Sequence, residues 1–135
     1  MANIEAERVC FAPMRILIVE DSDSIRQMIE ALVAGRGHEV VAVPTGARGI
    51  ESARVRTPDL VLLDLNLPGS LDGFEVCERL RAEATTKSVP ILIISAMDDA
   101  QSKQRALGVG ATAYYTKPFS PTALLKEIEA LRPKI

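Results

Sequence analysis

Short runs of β-branched and aliphatic residues recur along the chain and alternate with longer stretches that have helical spacing. Four runs are pronounced and a fifth is weaker; they cover residues 16–19, 40–43, 60–63, 91–94 and 113–116. Each pronounced run is continuous rather than alternating in polarity, which is typical of strands buried on both faces of a parallel sheet. The pattern therefore predicts an α/β fold, a doubly wound sheet of five parallel strands with helices on both faces.

The stretches between the runs predict five helices. The third is expected to begin with a capping box, because Glu75 follows Asp72 by three residues. The last has Ser120 as its cap and Pro121 in its first turn, a position that proline favours. The fourth, residues 98–107, has few apolar residues. We expect it to pack weakly and to be the most mobile helix, although an ordinary solvated surface helix explains the same composition.

Composition narrows the class of protein. A length of 135 residues corresponds to one domain, and a formal net charge of −2 gives no basic surface for nucleic acid or an anionic membrane. No apolar run exceeds four residues, so we expect no membrane insertion. The first eight residues lack the apolar segment of a secretory signal, and two cysteines, Cys10 and Cys77, fit a reducing cytoplasm. We expect Cys77 to be buried as packing rather than to do redox chemistry.

Polar side chains follow four of the five predicted strands. In open α/β sheets, ligands bind beyond the carboxyl ends of the strands, so these side chains are candidates for chemistry. They are Glu20 and Asp21 after the first run, Asp64 and Asn66 after the third, Ser95 after the fourth and Lys117 after the fifth. Taken singly, most have a structural explanation, since acids favour helix starts and a strand-end serine can bond the backbone. Asp64 is the exception, because a carboxylate that closes a buried run needs a partner.

Together, these side chains indicate phosphoryl transfer. Three carboxylates at one edge of a sheet would repel one another unless a cation neutralises them. Carboxylate and carbonyl oxygens suit Mg²⁺, which normally leaves room for a substrate phosphate. A lysine and a hydroxyl could then hold the remaining phosphoryl oxygens. This chemistry predicts that Asp64 is the nucleophile.

Five motifs, in this order, make the chain resemble the receiver domain of two-component response regulators. They are Ile-Leu-Ile-Val-Glu-Asp-Ser (16–22), Leu-Leu-Asp-Leu-Asn-Leu-Pro (62–68), Asp-Gly-Phe-Glu (72–75), Ile-Ile-Ser-Ala (93–96) and Tyr-Tyr-Thr-Lys-Pro-Phe (114–119). The resemblance covers about residues 14–131 and is to the single-domain, chemotaxis-type form. It implies the flavodoxin-like strand order 2-1-3-4-5.

The resemblance also implies a role for each acidic residue. Asp64 would accept a phosphoryl group from a phosphohistidine on a sensor histidine kinase or a phosphotransfer protein. Asp21, Asp64 and the backbone carbonyl of Asn66 would hold Mg²⁺, or Mn²⁺ in its place. Glu20 would act on the metal through a water molecule.

A switch is implied as well. Lys117 would contact the phosphoryl group, and its peptide bond to Pro118 is expected to be cis. Ser95 would move to bond a phosphoryl oxygen, and Tyr114 would swing into the space that Ser95 vacates. That movement would repack the face formed by the fourth helix, fifth strand and fifth helix, where a downstream protein target would bind. An aromatic ring packed on an edge strand is the alternative interpretation of the resting Tyr114.

The protein that the resemblance implies is a cytoplasmic signalling domain rather than an enzyme, although it would assist its own phosphorylation and dephosphorylation. It would contact no nucleic acid directly, and it would be a monomer or a dimer that forms on phosphorylation. Residues 1–13 precede a domain of residues 14–135 and are expected to form an arm, the end of an upstream domain or an overlong start. Since only four residues follow the last predicted helix, either the output is a protein–protein contact or the chain is a piece of a longer regulator.

Two features depart from the pattern of the family. The loop between Pro68 and Asp72 is one residue longer than the commonest spacing, so we expect a local displacement that leaves the Asn66 carbonyl in place. Met97 is apolar where many relatives are polar. We predict that Met97 hinders the hydrolytic water and lengthens the lifetime of the acyl phosphate.

The residues do not favour three other functions. Phosphatases of the haloacid-dehalogenase type use a second aspartate two residues after the nucleophile, where this chain has Asn66. A receiver-like module that is never phosphorylated would not need the side chains that are present here. Flavin binding is disfavoured, because Glu20 and Asp21 would repel a phosphate after the first strand.

Overall fold

The computed structural model describes residues 13–132. Within them, five strands form one sheet in which every neighbouring pair is parallel. The strands are β1 (Arg15–Val19), β2 (Glu39–Val43), β3 (Leu60–Leu63), β4 (Ile91–Ser95) and β5 (Ala113–Thr116). Their spatial order is β2-β1-β3-β4-β5. The predicted flavodoxin-like fold and strand order are confirmed.

In the described part of the chain, residues 13–132, five helices connect and cover the strands, as predicted. They are α1 (Asp23–Ala34), α2 (Gly46–Val55), α3 (Gly73–Ala82), α4 (Ala100–Gly108) and α5 (Pro121–Leu131). The capping box at α3 is present, since the Asp72 side chain accepts from the Glu75 backbone and Glu75 accepts from the Asp72 backbone. Ser120 caps α5 by accepting from the backbone N–H of Ala123.

The core has two halves, one on each face of the sheet. Successive side chains of a strand point to opposite faces, so Ile16 and Ile18 pack with α1 and α5, whereas Leu17 and Val19 pack with α2 and α3. All residues of β3 and β4 are buried. This double burial explains why the inner strands have continuous apolar sequences.

The outer strand β2 is less buried than its continuous apolar sequence suggested. Its residues alternate between exposed and half-buried until Val43, and Val41 is 39% exposed. The strand order explains the difference, because β2 has a neighbour on one side only. β5, at the other edge, is half-buried throughout.

Helix α4 is attached by few apolar contacts, as its composition predicted. Ala106 is its one buried residue, and Leu107 is 54% exposed. Two cations on α4 lie over aromatic rings of its neighbours: Arg105 over Phe74 at 3.9 Å and Lys103 over Tyr114 at 5.9 Å. The predicted mobility of this helix stays a prediction.

A buried histidine, His38, lies beside the start of β1, at the amino-terminal end of that strand. The Nδ1 atom of His38 accepts the backbone N–H of Met14 at 3.1 Å. Its Nε2 atom is 3.7 Å from a carboxylate oxygen of Glu129. Burial and the charge of Arg132 lower the pKa of His38, although Glu129 acts in the opposite direction. The imidazole is therefore neutral at pH 7.

Cys77 is a buried free thiol, as predicted, and burial raises its pKa to about 11. Its role is packing, since such a thiol is not ionised at neutral pH. Cys10 and nearly all of the predicted arm, residues 1–13, lie outside the described residues. Among the described residues, no helix is long and apolar enough to cross a membrane.

Candidate functional site

The strand order brings the candidate acidic residues together. β1 and β3 are adjacent, with Val19 beside Leu63 in the register, and the acids follow directly after these two residues. The backbone N–H of Asp64 donates to the Val19 carbonyl at 2.9 Å, which joins the two strand ends. From β1 the chain passes to β2 on one side of it, and from β2 it returns to β3 on the other side of β1. Such a reversal opens the crevice in which this fold class binds ligands.

The three carboxylates form one cluster. Glu20, Asp21 and Asp64 each offer an oxygen, and these oxygens lie within 4.8 Å of one another. Glu20 and Asp64 are 2% and 4% exposed, whereas Asp21 is exposed. The interpretation of Glu20 as a solvated acid before a helix is therefore wrong, since the strand end carries it into the interior.

Lys117 reaches this cluster from the end of β5. Its Nζ atom lies 2.6 Å from Glu20 and 3.3 Å from Asp64. Burial by itself would lower the pKa of Lys117, but the hydrogen bond to Glu20 and the charge of Asp64 raise it above its ordinary value. The lysine is therefore a fixed positive charge at neutral pH. Its peptide bond to Pro118 is cis, as predicted.

The donor set fits a divalent cation. Three carboxylates and one ammonium group leave a local charge of minus two, and all of the anionic donors are hard oxygens. Asn66, whose backbone carbonyl is the further predicted ligand, is exposed and lies two residues after Asp64. Its backbone N–H donates to Asp64 Oδ1 at 3.3 Å, so the loop turns back over the carboxylate.

Gly73 lies directly against the backbone of Asp64, a contact that was not expected from the sequence. A Cβ atom at Gly73 would lie 2.2 Å from the Asp64 carbonyl oxygen and 2.5 Å from the Leu65 Cα. The backbone N–H of Gly73 also donates to the Leu65 carbonyl at 2.9 Å. The available signal was glycine directly after the helix cap Asp72, where only a residue without a side chain lets α3 approach the end of β3.

The loop before α3 contains a turn that glycine favours. Gly69 has a φ of +90° and open space around it. Because residues with a side chain rarely adopt this φ, glycine suits this position between Pro68 and Asp72. The predicted local displacement of the loop stays a prediction.

Ser95 closes β4 and is fully buried. Its hydroxyl oxygen accepts the backbone N–H of Met97 at 3.1 Å, and its carbonyl accepts the backbone N–H of Lys117 at 2.7 Å. Both bonds are made with backbone N–H groups, as expected for a serine at the end of a strand. They also tie the loop after β4 to the residue that carries the ammonium group.

Tyr114 is half-buried, and its hydroxyl donates to the Met97 carbonyl at 2.5 Å. Both residues pack against the core on the α3 side. Burial raises the pKa of Tyr114, so the phenol stays protonated and remains a donor. In this structure the tyrosine is thus bonded to the loop after Ser95, and the predicted swing stays a prediction.

Comparisons with known proteins identify the family of this chain. The family model of the response regulator receiver domain matches residues 16–129. The transcriptional regulatory protein CseB of Streptomyces coelicolor is 41% identical over 116 residues, which cover 86% of this chain and 48% of CseB. The chain thus spans about half the length of such curated relatives.

Solved structures extend the likeness to three dimensions. The chemotaxis protein CheY4 of Vibrio cholerae superposes with a TM-score of 0.83 at 33% identity, over 89% of this chain and 99% of CheY4. The receiver domain of the sensor histidine kinase PA1611 from Pseudomonas aeruginosa has a TM-score of 0.81 at 30% identity, over 89% and 98% of the two chains. That structure has a magnesium ion coordinated in its active-site cleft. The chain belongs to the response regulator receiver domain family of two-component systems.

Proposed function

We propose that Asp64 is the phosphoacceptor of this receiver domain. The observation that carries the proposal is the buried Asp64 carboxylate, whose oxygens face both an acidic pair and the Lys117 ammonium group. A nucleophilic carboxylate needs a cationic surrounding once phosphate approaches, and Lys117 supplies part of it. Receiver domains are signalling domains rather than classical enzymes, and this chemistry serves to switch the protein.

Each residue of the site would have a separate role in phosphoryl transfer. Mg²⁺, when bound by Asp21, Asp64 and the Asn66 carbonyl, would neutralise the acidic cluster and the phosphoryl oxygens. An Asp64 oxygen attacks the phosphorus of a phosphohistidine; the P–O bond forms as the P–N bond breaks, and the electron pair leaves with the imidazole nitrogen. Lys117 holds one phosphoryl oxygen by charge.

Ser95 and Tyr114 would pass the change to the surface. The Ser95 hydroxyl oxygen accepts the Met97 backbone N–H, and that bond leaves the hydroxyl hydrogen to be donated to a phosphoryl oxygen. Because the Met97 carbonyl accepts from the Tyr114 hydroxyl, a shift of the loop after Ser95 would alter the tyrosine bond. The surface of α4, β5 and α5 would then rearrange for a downstream protein. Helix α4 is suited to this, since it buries only one residue.

The partners follow from the family. We propose that a sensor histidine kinase or a phosphotransfer protein supplies the phosphoryl group in the cytoplasm, and that a protein target receives the signal. CseB, of which this chain resembles half, is named a transcriptional regulatory protein. The chain's own small net charge of −2 favours protein contact over direct contact with nucleic acid. The domain is proposed to be a monomer, or a dimer formed on phosphorylation.

A stable phosphoryl analogue tests the proposal. We expect wild-type protein with Mg²⁺ and a beryllofluoride salt to show new amide resonances at Ser95, Tyr114 and α4. Asp64→Asn keeps the size of the side chain but replaces one acceptor oxygen with an NH2 donor and removes the negative charge, so it should show none of these changes. Equal spectral changes in both proteins would contradict Asp64 as the acceptor.

A further inference from the structure

A second basic side chain contacts the acidic residues from the backbone side. Arg26, in the first turns of α1, has a side chain that is 17% exposed. Its Nη1 atom donates to the Glu20 carbonyl at 3.0 Å and lies 3.4 Å from the Asp21 carbonyl. Its Nη2 atom donates to Asp23 at 2.5 Å. One guanidinium therefore joins both residues of the acidic pair to the helix that follows them.

The two carboxylates of this pair are held differently. The Glu20 carboxylate is bonded by Lys117 at 2.6 Å and by the backbone N–H of Ser22 at 3.0 Å. Within residues 13–132, no hydrogen bond or ion pair reaches the exposed Asp21 carboxylate. The position of the Asp21 side chain is therefore set by its backbone, and Arg26 is the side chain that bonds the carbonyl of Asp21 itself.

We propose that Arg26 is a positioning residue for the metal site: by holding the carbonyls of Glu20 and Asp21, it directs the Asp21 carboxylate toward the cation. This inference rests on the proposed function, since it concerns the same Mg²⁺ site. Arginine suits the role because its planar fork can donate to two acceptors in fixed geometry. Asp23 orients the fork from the solvent side.

Positioning and charge predict opposite effects of removing Arg26. A positive charge beside a cation site repels the cation, so loss of the charge alone would tighten Mg²⁺ binding. Loss of a charge-assisted hydrogen bond that orders a ligand would weaken binding instead. The sign of the change in Mg²⁺ affinity therefore separates the two effects.

The experiment is a magnesium chloride titration of the full chain, followed by amide NMR shifts, with the melting temperature measured in the absence of Mg²⁺. We expect Arg26→Met to raise the Mg²⁺ Kd by about tenfold, the usual effect of losing one strong hydrogen bond. Arg26→Lys keeps the charge but replaces the fork with one compact donor group, so its Kd should rise by about threefold. Arg36→Met removes one charge from an exposed residue after the far end of α1 and should leave the Kd unchanged.

Each outcome is decisive. A Kd in Arg26→Met that equals or falls below the wild-type value overturns the positioning role, even if the melting temperature drops. If Arg26→Met does not fold, Arg26→Lys decides: a weakened site supports the inference and a wild-type Kd overturns it. Wild-type protein that binds no Mg²⁺ contradicts the proposed function itself, whereas normal wild-type binding with unaffected variants contradicts only the role of Arg26.

Discussion

Replacement of Gly73 by alanine should damage the site and the fold together. The added Cβ would lie 2.2 Å from the Asp64 carbonyl oxygen and 2.5 Å from the Leu65 Cα. An ordinary van der Waals contact of a Cβ atom is 3.4–4 Å, so α3 and the end of β3 must separate by roughly 1 Å or more. Both neighbours are backbone, which cannot rotate away as a side chain would.

The magnitude follows from known costs of overpacking. Insertion of a methyl group into a filled core costs about 1–3 kcal/mol, and more where backbone must move. We therefore expect Gly73→Ala to lose about 3 kcal/mol of unfolding free energy, which for a domain of this size lowers the Tm by about 10 °C. The displaced Asp64 should also bind Mg²⁺ more weakly in the fraction that stays folded.

A matched control is available on α4. A Cβ at Gly108, the last residue of that helix, would meet nothing within 4 Å. Gly108→Ala should therefore leave the Tm unchanged or raise it slightly, because alanine loses less backbone entropy than glycine in a helix. Thermal unfolding of the two variants, followed by circular dichroism, gives the comparison. Equal melting temperatures for wild type, Gly73→Ala and Gly108→Ala would refute the close-packing argument.

Three further predictions concern single residues. Because burial lowers the pKa of His38, the folded state binds fewer protons than the unfolded state, and the free energy of unfolding should fall as the pH drops below about 6.5. Urea unfolding at pH 8 and pH 5.5 should show a smaller loss of unfolding free energy in His38→Gln than in wild type. An equal loss in both proteins would contradict a buried, neutral His38. Met97→Glu should shorten the lifetime of the phosphorylated protein, measured by loss of label over time, and an unchanged decay rate would show that Met97 does not hinder water. Because the Cys77 thiol is buried with a pKa of about 11, it should resist iodoacetamide at pH 8 in a Cys10→Ser background until urea is added; rapid alkylation of folded protein would disprove its burial.

The inner part of the fold could be predicted from sequence because local pattern and final environment agree there. The sequence of β3 is apolar throughout, and all four of its residues are buried. The capping box at Asp72 and Glu75 is a local interaction, and the structure shows both of its hydrogen bonds. The exposure of Val41 does not follow from the local sequence, since it depends on which strand lies at the edge of the sheet, and only the strand order implied by the family resemblance gives that position.

The acidic cluster could also be predicted, because parallel strands place their carboxyl ends at one edge. What the sequence could not supply were contacts that are made to backbone atoms. Gly73 matters through its approach to the Asp64 carbonyl, and Arg26 through two carbonyls of the preceding loop. Neither contact involves a side-chain pattern or a spacing that a periodicity argument can detect.

Intact-protein mass spectrometry after phosphorylation tests the central claim most directly. With Mg²⁺ and acetyl phosphate as donor, wild-type protein should gain the mass of one phosphoryl group, and the gain should disappear on treatment with hydroxylamine, which cleaves acyl phosphates. Asp64→Asn should gain none under the same conditions, although its circular dichroism spectrum matches that of wild type. A wild-type protein that gains no mass, or an Asp64→Asn variant that gains the same hydroxylamine-sensitive mass, would contradict phosphorylation at Asp64.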